Sequence, residues 1–346
     1  MAHSIKDRLK ESLPMPVVAF AKCIFNGYPS LIMASLREAR RFNKAYAKDT
    51  SKGLKQIESR MMYITHQIEK GLSHQNFRYG FGKRPLQYLA KTIHAYCQLN
   101  PEYADSMPYT SALAALGEYL RRHEGHGESL AYVHSLFPAG LLERAESTSG
   151  SEGGSLQFDS SSKRHNQTRT YRELAEERHS IREFSDETVT YEQLKPALEM
   201  AMRTPSVCNR QPTRVHVILD NNTISKALAI QGGFRGYPTP PALILLTSDN
   251  RVFMAPQEHN EGYTDGGLFG MSLLLALEEQ GIAACPLNTM LRNGPEHATR
   301  RLLSIPDNEN LVMYIAVGHF PSECTTCVSH RFHADDIVTV VGETKD

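Results

Sequence analysis

An α+β fold behind an all-helical leading segment is what this sequence predicts, and three observations carry that expectation. Residues 1–145 repeat apolar side chains every three to four positions, with no strand pattern between the repeats. Residues 169–346 mix helical stretches with short apolar runs, without regular strand–helix–strand repetition. Between the two, residues 146–168 (ESTSGSEGGSLQFDSSSKRHNQT) are rich in Ser and Gly and poor in apolar anchors, so a flexible linker is expected there. A length of 346 residues suits two domains, and 40% hydrophobic content is enough to build a core for each.

In the first part, GLKQIESRMMYITHQIEKGL places Ile57, Met61, Ile64 and Ile68 on one helical face, with Gly71 where a C-cap belongs. RPLQYLAKTIHAYCQL does the same through Leu86, Leu89, Ile93 and Cys97, with Pro85 at its entrance and Pro101 beyond its end. SALAALGEYLRRH is a third helix. Residues 13–36 are apolar but broken by Pro14, Pro16, Lys22, Gly27 and Pro29, which predicts a buried helical hairpin or a segment lying on a membrane surface rather than a span.

In the second part, YRELAEER is a short helix. TYEQLKPALEMAMR is a helix with Thr190 as N-cap, Gln193 as its capping-box partner, and a kink expected at Pro196. RVHVILD, ALILLTS, LVMYIAVGHF and DIVTVV read as strands. GGLFGMSLLLALEEQG reads as a buried helix ended by Gly281.

The net charge of zero argues against a nucleic-acid binder. It conceals an asymmetry: residues 1–145 carry 20 Lys and Arg against 12 Asp and Glu, and the rest carries 18 against 26. The basic part is suited to an anionic partner or surface, including that of a membrane. Six scattered cysteines in no disulfide framework suggest a reducing cytoplasm. Neither a GxGxxG opening a strand–helix unit nor a GxxxxGK[ST] loop occurs, so no resident dinucleotide is expected.

The stretch ERHSIREF (177–184) sets Arg178, Ser180 and Arg182 at every second position. On a helix the two arginines would share a face and repel. On an extended segment all three donors point the same way, and such a comb suits a phosphate. A solvated charged loop would carry the same letters. TPSVCNRQPTRVHVI (204–218) halts a helix at Pro205 and offers Ser206, Asn209 and Gln211 before a strand, which an ordinary turn would also do. YTDGGLFGMSLLLALEEQGIAACPLN (263–288) places Asp265 before glycines that permit close approach of another body. MYIAVGHFP is followed by SHR, ending in Arg331. Between them, Cys324 and Cys327 form a lone CxxC, too little for a zinc site, and no metal is expected.

Taken together, these four ordered blocks resemble the nitroreductase family of FMN-dependent oxidoreductases, over about residues 170–341. The resemblance implies a nitroreductase-like mixed sheet flanked by helices, tightly bound FMN, NAD(P)H as a transient co-substrate in a ping-pong cycle, and a homodimer with shared active sites. It implies that Arg178, Ser180, Arg182 and Arg331 grip the FMN phosphate and ribityl chain, with His179 beside the flavin through its backbone. Pro205, Ser206, Val207, Asn209 and Gln211 would reach FMN from the partner subunit. Pro286, Leu287 and Asn288 would lie along the ring, and Asp265 is a further cofactor-binding candidate. Relatives carry Trp after the second proline, where this chain has Thr213 and no Trp anywhere. Candidate substrate contacts are Arg210 and, from the basic aromatic segment 68–86, Arg78, Tyr79 and Phe81. The electron acceptor is a small or carbohydrate-linked molecule. The alternatives are a flavin-dependent oxidase or dehydrogenase running in the opposite direction, and a non-catalytic flavin-binding or scaffold protein.

Overall fold

A computed structural model describes Pro14, Pro16 and residues 27–342; half of the segment 13–36, where the hairpin was expected, lies outside the described residues. Among the described residues six α-helices come first: α1 (Tyr28–Ala45), α2 (Leu54–Leu72), α3 (Lys83–Leu99), α4 (Met107–Arg122), α5 (Gly127–Leu136) and α6 (Ala139–Ser147). The apolar stripes expected on α2 and α3 are the ones that meet. Met61, Ile68, Leu86 and Leu89 are fully buried together with Leu113 and Leu116 of α4. Each such side chain contributes about 1.5–3 kcal/mol by leaving water. Gly71 does not cap α2, which continues to Leu72. It instead lets the Phe81 ring lie flat on the helix, where a Cβ would stand 1.9 Å from the ring.

The expected linker is structured. Residues Ser155–Asp159 form β1, antiparallel to β6 (Glu323–Cys327), in register from Ser155 opposite Cys327 to Asp159 opposite Glu323. Beyond it, Lys163 and Asn166 are buried. Composition missed this because the segment is held by polar anchors. The Lys163 ammonium meets a Glu278 carboxylate oxygen at 2.7 Å, and Asn166 donates to the Glu278 carbonyl at 2.6 Å.

The remaining elements are α7 (Tyr171–Glu177), α8 (Tyr191–Ala201), β2 (Thr213–Ile218), α9 (Asn221–Gln231), β3 (Ala242–Asp249), α10 (Glu261–Glu279), β4 (Ile282–Asn288), α11 (Asn293–Leu303) and β5 (Glu309–His319). Sheet order is β2-β3-β5-β4, and every pairing in it is antiparallel. Strands alternate their side chains between two cores. Ile244, Leu246, Ile315 and Val317 face α8 and α10, while Leu243, Leu245, Tyr314 and Ala316 face α9 and α11. This is the α+β architecture that the mixed pattern implies. The capping box on α8 forms as expected, with Gln193 N–H donating to Thr190 Oγ1 at 3.4 Å and Thr190 N–H to Gln193 Oε1 at 2.8 Å. The expected strand DIVTVV does not form: Ile337, Val338, Val340 and Val341 are exposed and pair with nothing.

α10 starts at Glu261, earlier than its apolar run suggested. Asp265 and Gly266 therefore sit inside the helix rather than at its mouth. The body that approaches the glycine is the sheet: a Cβ on Gly266 would lie 2.8 Å from Val312.

Candidate active site

Arg178 to Arg182 are extended, as the two-residue spacing requires. Ile181 turns inward and is buried, and its N–H donates to the carbonyl of Ala284 in edge strand β4 at 3.1 Å. Thr326 of β6 donates its hydroxyl to the Ser180 carbonyl at 2.9 Å. The comb is thus held at its backbone on both sides; of its side-chain donors, Arg182 Nη1 also reaches the Ser180 carbonyl at 3.2 Å.

Those donors converge with others from distant parts of the chain. Ser180, Arg182, Ser329 and Arg331 line one cavity of about 330 Å³, walled on the far side by His66 and Glu69 of α2 and by the start of α4. Arg178 stands beside it with its Nη1 buried and without a hydrogen-bond partner. Burial lowers the Arg178 pKa, the charge of Arg331 adds to that effect, and Glu278 opposes it. Lys70 is likewise pulled down, by burial first and then by Arg182. Among the described residues none of Lys70, Arg178, Arg182 and Arg331 forms an ion pair with a carboxylate. Arg182 and Arg331, unpaired at one half-buried cavity, suit an anion there. The orphaned Arg178 N–H and the Ser180 hydroxyl fit a phosphate monoester, so the residues present suit FMN.

α2 supplies what the sequence did not reveal. The His66 ring reaches Glu69 Oε2 at 3.4 Å and lies 3.5 Å from an Arg182 nitrogen. Hydrogen bonds to Cys327 and to Glu69 push His66 up to about 9, against its burial. His66, Glu69 and Cys327 bring three potential metal ligands within 4.8 Å of one another. Their other contacts oppose a metal. An Arg182 nitrogen sits 3.6 Å from the Cys327 sulfur, and Glu69 Oε1 is already taken by the N–H groups of Gly154 and Ser329. The CxxC spacing lies on strand β6, where positions three apart face opposite ways.

From the comb, edge strand β4 runs on through Pro286 and Leu287 to Asn288, whose carbonyl accepts from Gln231 at 3.1 Å. His179 is turned away, with its Nδ1 2.7 Å from the Glu177 carbonyl. The loop after α8 forms a second cluster. Pro205, Ser206, Gln211 and Asp265 line a cavity of about 160 Å³. Cys208, Asn209 and Gln211 have φ of 47°, 55° and 51°, a left-handed backbone costly for residues with a Cβ. Both oxygens of buried Asp265 accept from Val207 N–H at 3.2 Å, and Ser206 Oγ accepts from Gln211 N–H at 3.0 Å. Asp265 therefore holds the loop, and its carboxylate is spent on that contact.

These two clusters do not meet within one chain. Thr213, next to the loop, aligns through β3 with Asn310, while Ala284, next to the comb, aligns with Val317. At about 3.4 Å per residue along β5 and 4.8 Å per strand across the sheet, they stand roughly 28 Å apart, at opposite corners.

Among the substrate candidates, Arg210 is committed elsewhere. Its guanidinium pairs with Glu258 at 2.7 Å and donates to the Val252 carbonyl at 3.0 Å, so no free charge is left for an acidic substrate. Phe81 is packed between Phe77 and Tyr119, and Tyr79 stacks on His126 at 3.5 Å. Both are aromatic packing. Arg78 lines an open cavity, with the Phe81 ring as an apolar part of the same wall.

Comparison with known proteins finds matches over the second half of the chain. The Nitroreductase family model matches residues 175–231 and 232–319. A protein of Archaeoglobus fulgidus, named as an NADH dehydrogenase/NAD(P)H nitroreductase, is 28% identical over 142 residues, which are 41% of this chain and 80% of that one. The FMN reductase [NAD(P)H] of Bacillus subtilis is 25% identical over 155 residues, 40% of this chain and 61% of the reductase, so the match spans less than two thirds of that relative. Among solved structures, an NADH dehydrogenase/NAD(P)H nitroreductase of Parabacteroides distasonis aligns with 49% of this chain and 97% of its own length, at 19% identity and a TM-score of 0.43. An FMN-dependent nitroreductase of Clostridium difficile aligns with 47% and 92%, at 18% identity and a TM-score of 0.39. The matched segment begins three residues before the comb and ends with β5; over it the chain matches the nitroreductase family model, and a helical region precedes that segment.

Proposed function

We propose that this protein is an FMN-dependent oxidoreductase that draws electrons from NAD(P)H and passes them, in a ping-pong cycle, to a small or carbohydrate-linked acceptor. The carrying observation is that Ser180, Arg182 and Arg331 line one cavity, while Arg178 of the same comb keeps a buried Nη1 without a hydrogen-bond partner, and among the described residues none of these arginines is in an ion pair. When bound, FMN supplies the electron-accepting and electron-donating ring. The chain supplies the rest. Arg178, Ser180 and Arg331 hold the phosphate. Arg182, one comb position closer to β4, sets positive charge toward the ring end, where it favours the reduced, anionic form. Pro286, Leu287 and Asn288 line the edge along which the ring would lie.

The cycle is shared between two copies. The loop 205–211, some 28 Å from its own comb, completes the site of a second chain related by a twofold axis. Its strained backbone is consistent with a loop built for contact rather than for local stability.

The test is purification of the full chain, addition of FMN, and anaerobic mixing with NADH or NADPH. A yellow protein that bleaches on mixing supports the reading. A chain that takes up no FMN refutes it, and one that holds FMN but resists both reductants is a binding protein. For sharing, Arg178→Ala and Asn209→Ala/Gln211→Ala chains each lose flavin. Co-expressed, random pairing restores about a quarter of the sites if each site is shared, and none if it is not.

A further inference from the structure

A second cavity, of about 220 Å³, lies between the helical region and the family domain, on the other flank of α2. Its walls include Lys70, Arg78 and Arg235, with Gln67, His74 and Asn76 between them, and no acidic residue lines it. Among the described residues none of the three cations is in an ion pair; Lys70 donates to the Gly233 carbonyl at 3.0 Å. We infer that this cavity is an anion subsite that receives a phosphate or diphosphate group of a molecule docked at the proposed flavin site, an inference that rests on the reading given above.

The cavity is constructed from both sides. Arg235 lies in the glycine-bracketed turn GGFRGY, where Gly232 and Gly236 adopt φ of 79° and 91°. That turn is pinned to the end of α2 at three points. The Tyr237 ring stacks on His74 at 4.0 Å, its hydroxyl donates to the Lys70 carbonyl at 3.1 Å, and the Lys70 ammonium returns to Gly233. His74 is held from behind, its Nδ1 3.3 Å from Glu183 Oε1, and Glu183 Oε2 also accepts from Gln75 N–H at 3.0 Å. Arg78 enters from the opposite wall, on the segment 74–82 that links α2 to α3. The space equals about seven waters at ~30 Å³ each, enough for a diphosphate but not for a nucleotide. Three cations with side-chain amide donors match a multiply charged oxyanion better than a single carboxylate.

Its position relates it to the flavin site. Lys70 is close enough to Arg182 for that charge to depress it, and Gln231, at the base of the Arg235 turn, donates to Asn288 at the end of β4. A molecule reaching from the β4 edge toward α2 would place its terminal anion here. The helical region would then choose among substrates by charge, while the family domain carries the chemistry.

The experiment is calorimetric titration of inorganic diphosphate into the FMN-saturated full-length protein and its Arg235→Gln, Arg78→Gln and doubly substituted forms. Both arginines are exposed, so the substitutions leave the core intact. The expected result is saturable binding that weakens at least tenfold in the double variant and is largely kept in Arg235→Lys, with flavin content unchanged. No binding to the native chain, or a change below twofold in the double variant, overturns the inference. If the protein takes up no FMN, the same titration of an Arg178→Ala/Arg182→Ala chain still reads this cavity, so failure of the flavin reading and failure of the subsite are separable. Steady-state kinetics identifies the source of the phosphate. A KM raised for NADPH but not NADH in Arg235→Gln assigns it to the reductant. Unchanged KM for both, with loss of diphosphate inhibition, assigns it to the acceptor.

Discussion

Arg178 carries a buried Nη1 without a partner, and it feels the charge of Arg331. Replacing it by Ala should separate binding from stability. In the free chain, an unsatisfied buried donor costs about 1–3 kcal/mol. Removing it relieves that cost and the repulsion from Arg331, and forfeits the packing of the side-chain stem and the attraction of Glu278. The terms nearly cancel, so the flavin-free variant should melt within about 4 °C of the native chain, which for a protein of this size corresponds to roughly 1–2 kcal/mol. With FMN the balance changes. Two charge-assisted hydrogen bonds to a phosphate contribute about 1.5–3 kcal/mol each. Their loss weakens FMN binding by about a hundredfold or more. The assay pairs a thermal melt of flavin-free protein with a titration that follows quenching of FMN fluorescence. A variant that unfolds about 10 °C early yet binds FMN within threefold of the native chain would refute the argument, because Arg178 would then be a structural residue.

Three further outcomes follow from the geometry. Lys163→Met leaves Glu278 buried without its ion-pair partner and with only Asn166 hydrogen-bonded to it, which should cost about 3–5 kcal/mol and show as a large fall in Tm, while Lys163→Met/Glu278→Leu should recover most of the loss. His66 has a folded pKa of about 9 against an ordinary value of 6.5, so its imidazolium is present at neutral pH, and its contribution is lost as pH rises through about 9. FMN retention should fall over that range, in a setting that also holds Arg182, Arg331, Glu69 and Cys327, and His66→Gln should bind more weakly but without that pH step, as read by equilibrium dialysis from pH 6 to 10. Gly117→Ala would put a methyl group 2.1 Å from the Ala145 carbonyl oxygen, on backbone that cannot rotate away, and should lower the chemical-denaturation midpoint by an amount worth about 1–3 kcal/mol.

The sequence displayed those parts of the site that depend on local spacing. The comb could be read because an extended strand has a period of two, and the helix stop at Pro205 because proline cannot continue a helix. The Thr190 cap was equally local. What stayed hidden depends on pairs distant in the chain. Nothing near Ser155 announces that Cys327 lies opposite it, so β1 looked like a linker, and nothing near Glu278 announces Lys163. His66, Lys70 and Arg235 follow the same rule, since each is an ordinary polar residue until α2 and the 232–237 turn are brought together. One signal was available: Arg235 between glycines at 232, 233 and 236 marks a turn that presents a charge.

The misread linker changes how the helical region should be regarded. A tethered domain would touch its neighbour through few and mostly exposed contacts. Here, buried Glu69 of α2 accepts from Gly154 beside β1 and from Ser329 beyond β6, and Ser73 meets the Cys327 sulfur at 3.8 Å. His66 and Lys70, one helical turn apart on α2, address the proposed phosphate cavity and the proposed anion subsite. One rigid helix thus forms a wall of both. Any displacement of α2 would disturb retention of the cofactor and selection of the substrate together, and this coupling accounts for the otherwise costly burial of Glu69 between the two halves of the chain.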